Sequence, residues 1–479
     1  MRIKSIALLL AGGLSAPAFA TNGMNMEGYG PVATGMGGAS YAYDNGTAGL
    51  INNPATLGLM ATGTSRLDVA IGGLQPDVVS KMTGQPDAKS GGTAYYMPAV
   101  GYVRKDGKIG WGVGMMAQGG MGTEYGSTSF LSNYQSAVFL LSGGAGGSQG
   151  ASGAANRSEL GIGRIMFPLT YDISDNLRVG GTLDYLWGGL DLQMVMSGAM
   201  FAQFTGFGGA SASPLGTASG SMVTAMGGFG LLDVNWAQFD FSEGGNKMKQ
   251  RLTTSGWAGN LGFVWQATPK LSVGGVYHGK TSLSDMEGDG RINMSVVTGG
   301  GPMSMQVSGK LKVVNFQWPE TYGIGLAYQA TDALMVAADY KHIGWAAVMK
   351  NFHMNFTASG NSGITAGLNG TVMDATLYQN WKNQNVFMIG ASYKYNDALT
   401  LRAGVNVADN PIPQAYMNPL FPAIEKDHYT VGFGYAFNKA SSIDFSYAYA
   451  PKVSVTNPNM AVTTTHSQNN WQFMYSHRF

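Results

Sequence analysis

The stretch YTVGFGYAFN, residues 429–438, places Tyr429, Val431, Phe433, Tyr435 and Phe437 on one parity and Thr430, Gly432, Gly434, Ala436 and Asn438 on the other. Successive side chains of a strand point to opposite faces, so one face of this segment is apolar and aromatic and the other small or polar. The following segment repeats the pattern, with Ile443, Phe445, Tyr447 and Tyr449 set against Ser442, Asp444, Ser446 and Ala448. The stretches from Trp257 to Trp265, Phe387 to Tyr395 and Leu399 to Val407 do the same. A soluble β-sandwich also alternates, but its solvent face carries many charges. Here charged residues make up 11% of the chain. The pattern therefore predicts an all-β fold, a transmembrane antiparallel β-barrel whose aromatic parity faces lipid.

Extending the reading in both directions gives about fourteen strands, an even number as single-chain bacterial barrels require. They fall at 64–74, 93–104, 108–118, 157–171, 177–192, 251–265 and 270–283, then at 319–329, 333–345, 384–395, 399–407, 428–438, 441–451 and 468–479. Short polar turns such as Lys105-Asp106-Gly107, Ser174-Asp175-Asn176 and Asn396-Asp397-Ala398 alternate with much longer connections. Short periplasmic turns and long extracellular loops are the asymmetry of an outer-membrane barrel. The last strand carries Trp471, Phe473, Tyr475, His477 and Phe479 on one parity, the form of end by which the barrel assembly machinery is expected to take hold.

No run of eighteen or more apolar residues offers a transmembrane helix, so a helical membrane protein is excluded. Residues 1–20 read as an export signal, with Arg2 and Lys4, an apolar stretch from Ile6 to Leu14 and a cleavage site at Ala18-Phe19-Ala20. Export to the Gram-negative outer membrane with cleavage of this signal is the expectation. The absence of cysteine suits an exported chain, and a net charge of +1 gives no reason to invoke nucleic acid. The histidines, His278, His342, His353, His428, His466 and His477, show no metal-ligand spacing, and no Gly-x-Ser-x-Gly elbow occurs. The expectation is thus no catalytic residue, no metal and no cofactor.

Residues 21–60 do not alternate and precede the first strand; they either trail into the periplasm or fold into the lumen. Gly35-Met36-Gly37-Gly38-Ala39, Asp44-Asn45 and Asn52-Asn53-Pro54-Ala55 resemble the plug of the FadL/TodX family of outer-membrane hydrocarbon transporters. Trp111-Gly112, Gln118-Gly119-Gly120-Met121-Gly122-Thr123-Glu124 and Trp318-Pro319-Glu320 extend the likeness over nearly the whole chain after the signal. The resemblance implies three parts: the signal at 1–20, a hatch at 21–60 and the barrel at 61–479. It implies that Asn53, Pro54 and Ala55 belong to the gating hatch. It further implies that the third strand kinks inward, at Gly119, Gly120 and Gly122, to open the wall sideways.

An acyl chain gains roughly 0.8 kcal/mol per CH₂ on leaving water, so hydrophobic cargo needs an oily path rather than a wet pore. The segment 194–232 supplies Met194, Met196, Met200, Phe201, Phe204 and Phe207, and Phe139 and Leu140 lie in a second apolar loop. These are the expected extracellular capture surface, since thioethers repack around varied ligands. Charges on the lumenal parity, Arg164, Arg178, Lys341 and Arg402, are candidate partners for a fatty-acid head group, with Asp184 and Asp339 as counter-charges. The reading is a monomer that takes long-chain fatty acids from outside and releases them laterally into outer-membrane lipid. Aromatic hydrocarbons taken by the same route are the alternative cargo. A general porin and a lipid-acting enzyme are the competing classes.

Overall fold

The computed structural model describes residues 22–242 and 251–479. The export signal at 1–20 lies outside the described residues. Consecutive antiparallel pairing links the strands Thr64–Lys81, Tyr95–Asp106, Ile109–Tyr125, Asn156–Asp172, Leu177–Ser197, Leu252–Thr268 and Leu271–His278. It continues through Thr321–Gln329, Leu334–Ile343, Gln384–Lys394, Leu399–Ala408, His428–Ala436, Ser441–Asn457 and Val462–Arg478. The last strand then pairs with the first, from Arg66↔Arg478 to Lys81↔Thr463, and the barrel is closed. Closure leaves no lipid-exposed strand edge, which the apolar core of a bilayer would not tolerate.

The alternation of the sequence becomes the two faces of the wall. On His428–Ala436, Tyr429 and Val431 are each 54% exposed on the outside while His428 and Thr430 are buried inside. The same outward row runs round the barrel through Ile71, Trp111, Leu169, Leu261, Ile324 and Ile389. Such an apolar girdle is unstable in water and stable in lipid.

Among the described residues the sheet counts 22 strands, the fourteen of the closed ring and eight more that the long connections contribute. Leu177–Ser197 runs past the rim, and from Leu192 onward it pairs with Asp233–Phe241. An outer sheet then continues through Met286–Thr298, Gly301–Val314, Asn351–Ala358, Val372–Tyr378 and Gly216–Ser219. Its inner face is apolar, with Ile292, Met294, Val296, Met305 and Val307 buried. The Met- and Phe-rich segment from 194 is likewise ordered, forming the helices Gly198–Thr205 and Ser221–Gly227 rather than an irregular loop.

Residues 22–60 lie inside the ring and bond to strands around its circumference. Ser40 N and Tyr41 N donate to Asp339 Oδ2 at 2.6 and 3.0 Å, Thr47 N to Asp68 Oδ2 at 2.7 Å and Gly37 N to Thr430 Oγ1 at 2.9 Å. Arg66 pairs with Asp44 at 2.7 Å. The wall is approached so closely at Gly37, with φ +70°, that a Cβ there would sit 2.5 Å from Val405 O. Only glycine fits that position.

Candidate functional site

The extended strand Leu177–Ser197 builds the extracellular site. Its side chains Met194 and Met196 point inward above the barrel, and Ser197 Oγ then accepts a hydrogen bond from Met200 N at 3.2 Å. That cap starts the helix Gly198–Thr205 and turns Met200 and Phe204 over the same space. Met194, Met196, Met200 and Phe204 line one pocket with Leu131, Leu377, Met417 and Leu420. The pocket encloses about 80 Å³ and shares Leu131, Val195, Met200, Ser213, Leu215 and Met460 with a groove of about 890 Å³ that opens outward. Tyr134 and Leu140 lie in that groove. Phe201 packs beneath the helix at 2% exposure, and neither it, Phe139 nor Phe207 lines either cavity.

The wall formed by Met417, Asn418, Pro419 and Leu420 was not anticipated. It comes from the connection 409–427, which folds inward instead of standing out as a loop. Asn457 Nδ2 holds Met417 O at 2.8 Å, and Thr123 Oγ1 and Tyr125 Oη hold Pro419 O at 3.3 and 3.2 Å. The apolar, proline-broken run Ile412-Pro413-Gln414-Ala415-Tyr416-Met417 was the only sequence signal for this behaviour. Neither cavity is lined by any Asp, Glu, Lys, Arg or His. Their polar atoms are amides and hydroxyls, such as those of Gln379, Tyr378 and Tyr416.

Charges gather in a different place, a lumenal pocket between residues 25–52 and the wall. Arg164, Lys341, Glu27 and His278 line it with Tyr29, Gln118 and Trp318. Of the four head-group candidates only Arg164 and Lys341 meet there. Arg402 pairs with Asp444 at 2.8 Å beside the short turns at Asp397 and Asn438. Arg178 donates to Gly58 O at 3.1 Å and faces Asp172 at 3.6 Å. Both are therefore spent on the wall and on residues 22–60. Arg164 is tied to Asp184 at 2.7 Å, which takes a further bond from Asn260 Nδ2 at 3.0 Å, and Asn260 Oδ1 meets His278 Nδ1 at 2.9 Å. Asp339 does not counter Arg164 but holds the backbone of Ser40 and Tyr41. Lys341 makes no hydrogen bond or salt bridge among the described residues.

The third strand is irregular where the glycines fall. It runs from Ile109 to Tyr125 rather than ending at 118, and its register against Asn156–Asp172 shifts between Ala117 and Gly119. Its pairing with Tyr95–Asp106 stops at Val100↔Met115, so Tyr95–Ala99 and Met116–Tyr125 do not pair with each other. Gly119 instead bridges to Asn25, and a Cβ on it would lie 2.0 Å from Met24 O. Gln118 Nε2 donates to Asn25 Oδ1 at 3.1 Å and Tyr29 Oη to Gln118 O at 2.5 Å. Gly120 and Gly122 lie in the paired stretch beyond the bulge, opposite Gly161 and Glu159.

Asn53 sits elsewhere. Its Oδ1 caps Ala55 N at 3.1 Å, and its Nδ2 spans from Tyr41 O at 2.7 Å to the wall at Phe263 O, 3.1 Å. Pro54 starts the turn Pro54–Leu59, and Ala55 packs against Gly180, where a Cβ would come within 2.8 Å of Ala55 N.

A closed barrel with an apolar girdle, a filled lumen and a greasy extracellular pocket defines an outer-membrane β-barrel protein of the transport class. Residues 144–478 match the family of outer membrane protein transport proteins (OMPP1/FadL/TodX), and the chain belongs to that family. The crystal structure of the Pseudomonas putida toluene transporter TodX is 30% identical, covers 95% of this chain and 100% of its own, and superposes with a TM-score of 0.77. The Ralstonia pickettii toluene transporter TbuX is 30% identical, with 95% and 99% coverage and a TM-score of 0.72. Outer membrane protein P1 of Haemophilus influenzae is 27% identical over 194 residues, 40% of this chain and 37% of that protein. A Chlorobium limicola protein, described as uncharacterized and encoded 5′ of a phosphoenolpyruvate carboxykinase gene, is 41% identical over 116 residues, 24% of this chain and 56% of its own. The chain thus spans about half or less of the length of these curated relatives.

Proposed function

We propose that the protein carries small neutral apolar molecules, aromatic hydrocarbons foremost, from the cell exterior into the outer membrane. The observation that carries this reading is that both extracellular cavities are lined without a single charged side chain. A carboxylate entering such a space would lose its hydration and find no cationic partner, whereas a neutral ring loses only water contacts. The toluene transporters among the structural neighbours favour the same cargo. Residues 21–60 act as a hatch, with Asn53, Pro54 and Ala55 as its anchor to the wall. The unpaired stretch beside Gly119, covered by Met24, Asn25 and Tyr29, serves as the lateral exit, with Gly120 and Gly122 keeping the strand beyond it free of bulk. The chain works as a monomer whose last strand, ending at Phe479, is read by the barrel assembly machinery.

Long-chain fatty acids remain the second reading, favoured by Lys341, a buried ammonium in the lumenal pocket with no hydrogen-bonded or ion-paired partner among the described residues. Competition binding separates the two. Toluene is expected to displace bound labelled toluene fully while oleate at equal free concentration displaces little. Stronger displacement by oleate would reverse the order of the two cargoes.

A further inference from the structure

Between the extracellular pocket and Gly119 the interior contains a continuous chain of aromatic rings. Leu420 lines the pocket, and the next residue, Phe421, lies with its ring 6.4 Å from that of Phe352. Phe352 is 6.4 Å from Phe316, edge to face, and Phe316 is 6.3 Å from Trp318 in the same arrangement. Trp318 brings the chain to the kink: its Nε1 donates to Asn25 Oδ1 at 2.6 Å, and a Cβ on Gly119 would lie 3.1 Å from its ring, while a branch leads away from the kink to Trp345 at 6.0 Å and on to Trp381 at 5.2 Å. Three separate parts of the fold contribute, namely the inward connection 409–427, the outer-sheet strand Asn351–Ala358, and the link 315–320 before Thr321–Gln329. All four side chains are buried.

We propose that cargo passes from the pocket to the lateral exit along Phe421, Phe352, Phe316 and Trp318, and that these rings select planar aromatic molecules over aliphatic ones of similar size. The inference rests on the transport reading given above. An aromatic guest replaces one ring–ring contact by another as it moves, keeping edge and face in register, whereas an alkane offers no quadrupole to match. Simple core packing would also bury these rings, but it would not distinguish between cargoes.

The test is uptake of labelled toluene and n-hexane by cells carrying the full chain, with toluene binding to the purified protein measured in parallel. Phe316→Leu and Phe352→Leu, which keep apolar bulk, are expected to lower toluene uptake about tenfold with hexane uptake and toluene binding changed little. Trp318→Phe is expected to retain the preference and Trp318→Leu to lose it. Equal loss of both cargoes, or no loss of either, would overturn the route. A parent protein that binds toluene but takes up neither cargo would overturn the transport reading itself, and the route with it.

Discussion

The extracellular pocket and the lumenal pocket lie in one barrel, yet one is lined without charge and the other by Arg164, Lys341, Glu27 and His278. They differ in what their side chains are for. The methionines and Phe204 above the rim touch empty space, while Arg164 is occupied by Asp184. A charge that already has a buried partner braces the wall, and its removal is felt as instability before it is felt as lost affinity.

The largest expected effect follows from that distinction. Arg164→Ala strands Asp184 in the interior and should destabilise the barrel by about 3–5 kcal/mol, read as a lower urea midpoint in detergent, with toluene affinity unchanged. The double variant Arg164→Ala/Asp184→Ala should recover most of the loss. A selective fall in toluene binding would erase the difference between the two pockets. A charge placed in the uncharged pocket should have the opposite signature. Met194→Asp is expected to weaken toluene binding about a hundredfold or more, because the ligand must then share a dry space with a carboxylate. Retained affinity there would mean that toluene binds elsewhere. The smallest effect is at the same position, where Met194→Leu keeps volume and polarity and should cost less than about 1.5 kcal/mol of binding.

The barrel was legible because a lipid-facing strand has a signature that few other elements share: Tyr429, Val431 and Phe433 on one parity and no charge to match them. The outer sheet was not read, although Ile292, Met294 and Val296 alternate as regularly. Their opposite face carries Arg291, Asn293 and Ser295, the pattern of a sheet in water, and so does not resemble a membrane strand. Residues 194–204 were found as a group because apolar side chains in a connection stand out, but which of them face the ligand depends on where a helix begins. Met200 and Phe204 turn toward the pocket and Phe201 away from it.

The lumenal charges were found by parity, with Asp184 among the counter-charges, but not which cation each carboxylate meets. Arg164 meets Asp184 only because Met166 is registered against Asp184 on the neighbouring strand, a cross-strand alignment that no local spacing encodes. The same holds for the aromatic chain, whose rings come from three connections far apart in sequence. Asn53, Pro54 and Ala55 were singled out by resemblance, and in the structure Asn53 bonds Phe263 O and Ala55 packs against Gly180. The contact with the kink, however, is made by Met24 and Asn25, in the run Asn22-Gly23-Met24-Asn25-Met26, which shows no strand or helix pattern.

Where a neutral ring sits decides between the two pockets, and anomalous diffraction from crystals grown with bromobenzene locates it directly. The expected result is a bromine peak among Met194, Met200, Met417 and Leu420, with any weaker peaks along Phe352 and Phe316 toward Gly119. A peak confined to the lumenal pocket beside Arg164 and Lys341, with the extracellular pocket vacant, would contradict it.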